Sequence, residues 1–71
     1  MSPQETIRIC TIQIQRNPND VEGYKVRGYA YQELKQYDLA ISDFSKAIQH
    51  NPNWNYPYTC RRECYKALGW V

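Results

Sequence analysis

Three cysteines and one histidine are the residues of this 71-residue chain whose types could support metal or nucleophilic chemistry. Cys60 and Cys64 are four positions apart, so both thiols would lie on one face of a helix. Two thiolates can begin a metal site, but the sequence has no Cys-x-x-Cys pair and no histidine close to them. His50 ends a predicted helix, where an imidazole suits the helix dipole. We therefore expect Cys10, Cys60 and Cys64 to be small apolar core residues, and we expect no metal site.

No arrangement typical of catalysis is recognisable in the sequence. It contains no nucleophile–base pair and no paired carboxylates, and its glycines, at positions 23, 28 and 69, are wrongly spaced for a phosphate-binding loop. We expect a protein that is not an enzyme and needs no cofactor. The formal net charge of +2, carried by dispersed basic residues, disfavours nucleic acid as a partner. Exposed aromatic rings could still stack on single-stranded bases, so a nucleic-acid binder remains a minor alternative.

Cysteine usage and hydropathy also bear on the compartment. An odd, low number of cysteines argues against a disulfide scaffold and favours a reducing environment. No segment approaches the roughly 20 apolar residues that a membrane span needs. The first fifteen residues contain no continuous apolar run of the kind found in signal peptides. These features predict a cytoplasmic protein that does not span a membrane.

The elements that position these residues follow from an internal repeat. Ten residues recur after 34 positions, where chance would give about two matches. They are Ile7, Ile14, Gln15, Asn17, Pro18, Asn19, Tyr24, Arg27, Tyr31 and Leu34. Each Asn-Pro-Asn segment ends one helix and begins another, because proline disfavours a helical residue before it and asparagine is a good N-cap. Between these segments, residues 21–34 and 38–50 show helical apolar stripes separated by the short turn Lys35-Gln36, which predicts a hairpin of two helices.

The two ends of the chain extend this pattern. Residues 55–70 repeat the first helix of the hairpin. Near the N-terminus, alternating residues such as those of Thr6-Ile7-Arg8-Ile9 resemble a strand. Against that, Ser2-Pro3-Gln4-Glu5 has the form of a capping box, and Ile7, Cys10 and Ile14 share one helical face. We therefore predict a helix here as well, and an all-α protein of four helices.

The hairpin resembles the tetratricopeptide repeat. The matching residues are Tyr24-x-x-Arg27-Gly28-x-x-Tyr31, Ala40-x-x-x-Phe44-x-x-Ala47 and Pro52. The resemblance implies an α-solenoid with helices in the order B′-A-B-A′. In this division residues 1–17 form a half-repeat helix B′, residues 18–54 a complete hairpin, and residues 55–71 a half-repeat helix A′. Arg27 stands where leucine is more usual in the family, although an Arg-Gly pair at this point is common.

The family uses a concave groove, lined by its A helices, to bind peptides or partner proteins. The resemblance therefore implies a non-catalytic protein–protein interaction module. Carried over residue by residue, the groove positions that we predict to contact a partner are Lys25, Tyr29, Gln32, Tyr56, Thr59 and Glu63. The family's clamp for a terminal carboxylate is not supported, because Tyr29 and Cys60 stand where asparagine would be needed.

Large aromatics outside the repeat core suggest further contact surfaces. Tyr29 and Tyr56 fall on the predicted groove, whereas Trp54 and Trp70 are possible interface residues. Arg62 is a third possible interface residue, since it stands where the first repeat has Gly28. Solenoids generally need about three repeats for a continuous core. We therefore expect a dimer or higher oligomer, and a self-assembling structural module is the alternative function.

Overall fold

Four helices make up the regular structure of the described part of this chain. The computed structural model describes residues 1–53 and 55–69, apart from the side chains of residues 55 and 56. The helices are α1 (Pro3–Arg16), α2 (Val21–Glu33), α3 (Tyr37–His50) and α4 (Asn55–Ala67), and the described residues include no strand. Each helix packs against the next one along the chain, and α2 also contacts α4. The predicted all-helical fold is confirmed.

The starts of α1 and α2 depend on side-chain caps. The backbone N–H of Glu5 donates to Ser2 Oγ at 3.2 Å, and the Ser2 hydroxyl donates to Glu5 Oε1 at 3.3 Å. The first bond is half of the predicted capping box; in place of the second half, the Glu5 carboxylate accepts from the Ser2 hydroxyl and not from the Ser2 backbone N–H. This cap accompanies a helix where the alternation of residues resembles a strand. Asp20 caps α2 in a similar way, since its Oδ1 accepts from the backbone N–H of Gly23 at 3.1 Å. Both caps satisfy donors that the helix itself leaves unpaired.

The turn between α2 and α3 closes the hairpin. Lys35 has a φ of 61°, in the left-handed region that residues with a Cβ enter at a cost of about 1–2 kcal/mol. Its N–H donates to the carbonyl of Gln32 at 2.9 Å, and the N–H of Gln36 donates to the carbonyl of Tyr31 at 2.9 Å. These bonds satisfy the last carbonyls of α2 and turn the chain back towards α3.

Phe44 is the centre of the core between α2 and α3. Its side chain is fully buried, and Ala40 and Ala47, one turn away on either side, are fully buried too. Gly28 of α2 faces the ring so closely that a Cβ on this glycine would lie 2.7 Å from Phe44 Cε1. The two helices approach because one presents no side chain where the other presents a ring. Cys60 and Cys64 of α4 join the same cluster.

Candidate functional site

The predicted groove residues of α2 lie at the boundary between the core and solvent. Lys25 pairs with Glu22 on the same helix, with Lys25 Nζ 3.1 Å from Glu22 Oε2. The Lys25 side chain is 20% exposed, whereas that of Glu22 is 66% exposed. Gln32 is also partly buried. This helix therefore presents polar side chains that are held against the protein surface.

Tyr29 is half-buried, although its position lies outside the repeat core and on the predicted groove. Its ring meets Phe44 edge-on, with centroids 5.9 Å apart and an interplanar angle of 83°. The ring also packs against the cluster that contains Ala40 and Cys64. Aromatic pairs in this geometry are worth about 0.5–1.5 kcal/mol beyond their area burial. Tyr29 thus contributes to the core, and truncating it would change stability as well as any contact with a partner.

On α4, the structure places Thr59, Arg62 and Glu63 at exposed positions. Tyr56 belongs to the same helix, but its side chain lies outside the described residues, as do Trp54 and Trp70. The positive charge of Lys25 on α2 acts on the thiol of Cys60 on α4. Lys25 and Cys60 are therefore close enough to interact across the α2–α4 contact.

An ion pair that the sequence analysis missed links α2 to α3. Arg27 donates through Nε to Asp43 Oδ2 at 2.8 Å and through Nη2 to Asp43 Oδ1 at 2.7 Å. Its Nη1 donates to Thr11 Oγ1 on α1 at 3.2 Å. The guanidinium lies 5.8 Å from the ring centroid of Tyr24 and 5.9 Å from that of Tyr31. Arg27 thus joins three consecutive helices.

The Arg27–Asp43 pair lies largely out of water. Asp43 is 4% exposed, and the Arg27 side chain is 19% exposed. The hydrogen bonds to Asp43 raise the pKa of Arg27, against the opposing effect of burial. One signal in the sequence could have revealed the pair, namely an acidic residue beside Phe44 on the apolar face of α3. A buried carboxylate needs a cationic partner, and the recurring arginine at positions 27 and 61 was available.

A second arginine repeats this arrangement in part. Arg61 of α4 lies 5.7 Å from the ring centroid of Tyr58 and 5.9 Å from that of Tyr65. Its Nη1 donates to Ser45 Oγ on α3 at 3.3 Å. Each of the two arginines therefore lies between two tyrosines of its own helix and donates to a hydroxyl of the preceding helix.

An open cleft between α1 and α2 also escaped the sequence analysis. It has a volume of about 450 Å³, and its apolar lining includes Met1, Ile9, Cys10 and Val26. Met1 is 87% exposed and Ile9 37% exposed, so apolar surface faces water here. The cleft reaches Glu22, the residue that pairs with Lys25. It therefore borders the predicted groove.

The three cysteines are buried thiols without disulfides, as predicted. Burial raises the pKa of Cys10, Cys60 and Cys64, and Lys25 opposes this effect at Cys60. A raised pKa keeps the thiol protonated, whereas metal binding and nucleophilic attack need the thiolate. Within residues 1–53 and 55–69, no group of three or more His, Cys, Asp or Glu side chains could hold a metal ion.

We expect these thiols to react slowly in the folded protein. With Ellman's reagent at pH 8, modification should be at least about tenfold slower than in the urea-unfolded chain, because reaction requires local opening. As the pH rises past about 8.5, the ordinary pKa of a thiol, the cysteines of the unfolded chain lose their protons at a lower pH than those of the folded protein. The folded state should therefore lose stability as the pH rises through this range. Equal rates in the folded and unfolded chains would contradict the buried assignment.

None of the helices in the described residues has the length and the apolar character needed to cross a lipid bilayer.

Comparison with known proteins identifies the hairpin. A family model described as "Tetratricopeptide repeat" matches residues 21–53, which include α2, the turn and α3. The DnaJ homolog subfamily C member 3 of Mus musculus is 43% identical over 51 residues, which cover 72% of this chain but only 10% of that protein. The protein of the same name from Bos taurus is 41% identical over 79 residues, covering 94% of this chain and 16% of its own length.

A further relative carries a different name. The UDP-N-acetylglucosamine–peptide N-acetylglucosaminyltransferase of Giardia intestinalis is 42% identical over 40 residues, which cover 56% of this chain and 3% of that protein. No solved structure matches the chain at a significant level. This chain thus spans about a tenth of the length of the mouse relative. The match at residues 21–53, the 34-residue period and the glycine-to-phenylalanine contact of the hairpin agree, and the chain belongs to the tetratricopeptide repeat family.

Proposed function

We propose that this protein is a non-catalytic module that binds a peptide or a partner protein on the concave face of α2 and α4. Tetratricopeptide repeats generally mediate protein–protein interaction and are typically scaffolds rather than catalysts. The proposal adds to that general role the surface of this protein on which the ligand binds. The binding residues would be the polar side chains of Lys25, Gln32, Thr59 and Glu63, together with Tyr29 and Tyr56.

The contact between α2 and α4 is the observation that carries this proposal. These helices are not consecutive, yet the charge of Lys25 reaches Cys60, one residue from Thr59. In this proposal, side chains from these two helices contact one ligand. Thr59 and Glu63 are one turn apart and both exposed, so their side chains leave the same side of α4. Tyr29 of α2 also packs edge-on against the buried ring of Phe44.

The predicted homo-oligomer, with a dimer favoured, is the second candidate. The exposed apolar side chains of α1 support it, since Ile9 is 37% exposed and Ile12 is 41% exposed. A second copy that covered this helix would remove that surface from water.

Three thiols without disulfides favour a reducing compartment, so the cytoplasm is the location that we propose.

Peptide selection tests the groove directly. Peptides selected from a random phage-displayed library on the immobilised protein should bind the groove, so Glu63→Lys should weaken most of them. We expect a loss of about tenfold or more, which corresponds to about 1.4 kcal/mol, because reversing a charge that contacts the ligand removes an attraction and adds a repulsion. Affinity measured by fluorescence anisotropy with synthetic copies of the selected peptides provides the readout.

Matched controls separate the groove from general electrostatics. Lys46→Glu also reverses one charge, but on the exposed face of α3, and it should leave the affinities unchanged. Thr59→Arg should weaken the same peptides as Glu63→Lys, since the two side chains leave the same side of α4. If Lys46→Glu reduced binding while both α4 variants left it intact, the ligand-binding face would lie on the other side of the molecule.

A further inference from the structure

Two close contacts hold α2 against the helices on either side of it. A Cβ on Gly28 would lie 2.7 Å from Phe44 Cε1 of α3, and a Cβ on Gly23 would lie 3.1 Å from Ile14 Cγ1 of α1. Contacts of this kind limit how closely two helices approach each other, but the apolar attraction across them is not directional. By themselves they therefore do not fix the angle at which α2 crosses its neighbours.

The two neighbours of α2 do not orient each other. In the described residues, no Cα atom of α1 lies within 8 Å of a Cα atom of α3. Each of the two helices packs against α2 instead. The crossing angles on the two sides of α2 therefore depend on the groups that α2 itself presents to α1 and α3.

Arg27 supplies directional contacts on both sides of α2. Its Nε and Nη2 donate to the carboxylate of Asp43 on α3 at 2.8 and 2.7 Å, and its Nη1 donates to Thr11 Oγ1 on α1 at 3.2 Å. A guanidinium is planar, and its donors point in fixed directions. One rigid group thus specifies where an acceptor of α1 and an acceptor of α3 lie relative to α2.

The guanidinium of Arg27 is itself held in place on its own helix. Tyr24 and Tyr31 lie about one turn before and after Arg27, with ring centroids 5.8 and 5.9 Å from the guanidinium. The Arg27 side chain is only 19% exposed, so it has little room for other conformations. Its hydrogen bonds therefore transmit the orientation of the α2 backbone to α1 and α3.

The proposed groove depends on that orientation. Lys25 and Gln32 of α2 are among its binding residues, and Lys25 acts across the α2–α4 contact on Cys60. Because α3 packs against both α2 and α4, the way α2 lies on α3 also determines how α2 faces α4. A rotation of α2 would change the distance from its groove residues to Thr59 and Glu63.

We propose that Arg27 is a positioning residue for the groove, which orients α2 through its hydrogen bonds to Asp43 and Thr11. This inference rests on the groove as the ligand-binding face. The three donor nitrogens are directed at α1 and α3, so Arg27 acts on the ligand through the position of α2. An apolar pair can replace the stability that a buried ion pair provides, but it lacks the directions of the hydrogen bonds. The role of Arg27 in orientation is therefore separable from stability.

Distance measurements on the ligand-free protein test the orientation of α2 directly. Spin labels on Glu33→Cys, at the end of α2, and on Lys66→Cys, in the last turn of α4, report the distance between the two helices by double electron–electron resonance. Both positions are exposed, whereas the native thiols are buried, and mass spectrometry verifies two labels per chain. The double variant with Arg27→Met and Asp43→Leu should stay folded and give a broader or shifted distance distribution.

Affinity for the peptides selected on the unchanged protein is the second readout. In the same double variant without labels, the affinity should fall about threefold or more, because only molecules in the binding orientation contribute to the apparent affinity. Circular dichroism shows whether each variant is folded. Arg27→Lys keeps the charge but lacks the planar fork, so it should cause a smaller loss. This second variant decides the question if the double variant does not fold.

A matched control makes the same two replacements at exposed positions of the same neighbouring helices, with Arg8→Met on α1 and Asp38→Leu on α3. It should leave the distances and the affinities unchanged. Unchanged distances or unchanged affinities in the Arg27 variants would overturn the proposal, as would an equal effect in the control. Failure to select any peptide would contradict the groove itself, and the distances would then support or overturn the role of Arg27 on their own.

Discussion

Replacing Phe44 with alanine is expected to cost about 3–5 kcal/mol of the free energy of unfolding, as for other buried aromatic side chains. Phe44 is fully buried and contacts Gly28, Tyr29 and the α4 cysteine cluster, so its removal leaves a cavity at the junction of three helices. A domain of this size has a total stability of only about 4–10 kcal/mol. The variant should therefore lose from about a third of its stability to all of it.

Urea denaturation followed by circular dichroism measures this loss. Leu39→Ala on the same helix is the matched control, because Leu39 is 44% exposed and its truncation removes little buried surface. We expect the control to cost less than about 1 kcal/mol. If both variants lowered the denaturation midpoint equally, Phe44 would not be the centre of the core.

The second large effect is expected from Asp43→Ala. This change removes the carboxylate that accepts two hydrogen bonds from Arg27. The guanidinium would remain between Tyr24 and Tyr31, largely out of water and without its counter-charge. Breaking a buried pair on one side typically costs about 3–5 kcal/mol, since an uncompensated charge stays behind. The 19% exposure of the Arg27 side chain places this variant near the lower end of that range.

A double variant distinguishes the cost of the orphaned charge from the loss of packing. Replacing both partners, with Arg27→Met and Asp43→Leu, removes the charge together with its counter-charge. Such apolar replacements of buried pairs are often neutral or stabilising. We therefore expect the double variant to be more stable than Asp43→Ala in the same urea titration. A double variant less stable than Asp43→Ala would mean that the geometry of the pair itself holds α2 against α3.

Local features of the fold could be predicted because their causes are local. The helix cap formed by Ser2 and Glu5, the Asn-Pro-Asn boundaries and the turn at Lys35 each involve residues within a few positions of one another. The 34-residue period then predicted how the helices pair, since each repeat buries its apolar face against its neighbour. The burial of Cys60 and Cys64 was also predicted, since the two small apolar residues are four positions apart and share one face of a helix.

The exposure of the candidate site residues could not be predicted in the same way. Tyr29 falls on the groove side of α2 by position, yet its ring reaches Phe44 and becomes part of the core. A helical position specifies the direction in which a side chain leaves the helix. How far it is buried depends on the neighbouring helix, whose distance is determined by the contact between Gly28 and Phe44.

The sequence by itself determined the family, the four helices and the buried thiols, because the period, caps and apolar stripes act over short distances or repeat regularly. Only the tertiary structure decided which charges are paired. Arg27 and Arg61 occupy the same position in the repeat, and nothing in their local sequence distinguishes their partners. Arg27 meets Asp43 because α3 packs against α2, whereas the described structure offers Arg61 the hydroxyl of Ser45. Ion pairing depends on which helix lies opposite, and that is a property of the assembled fold.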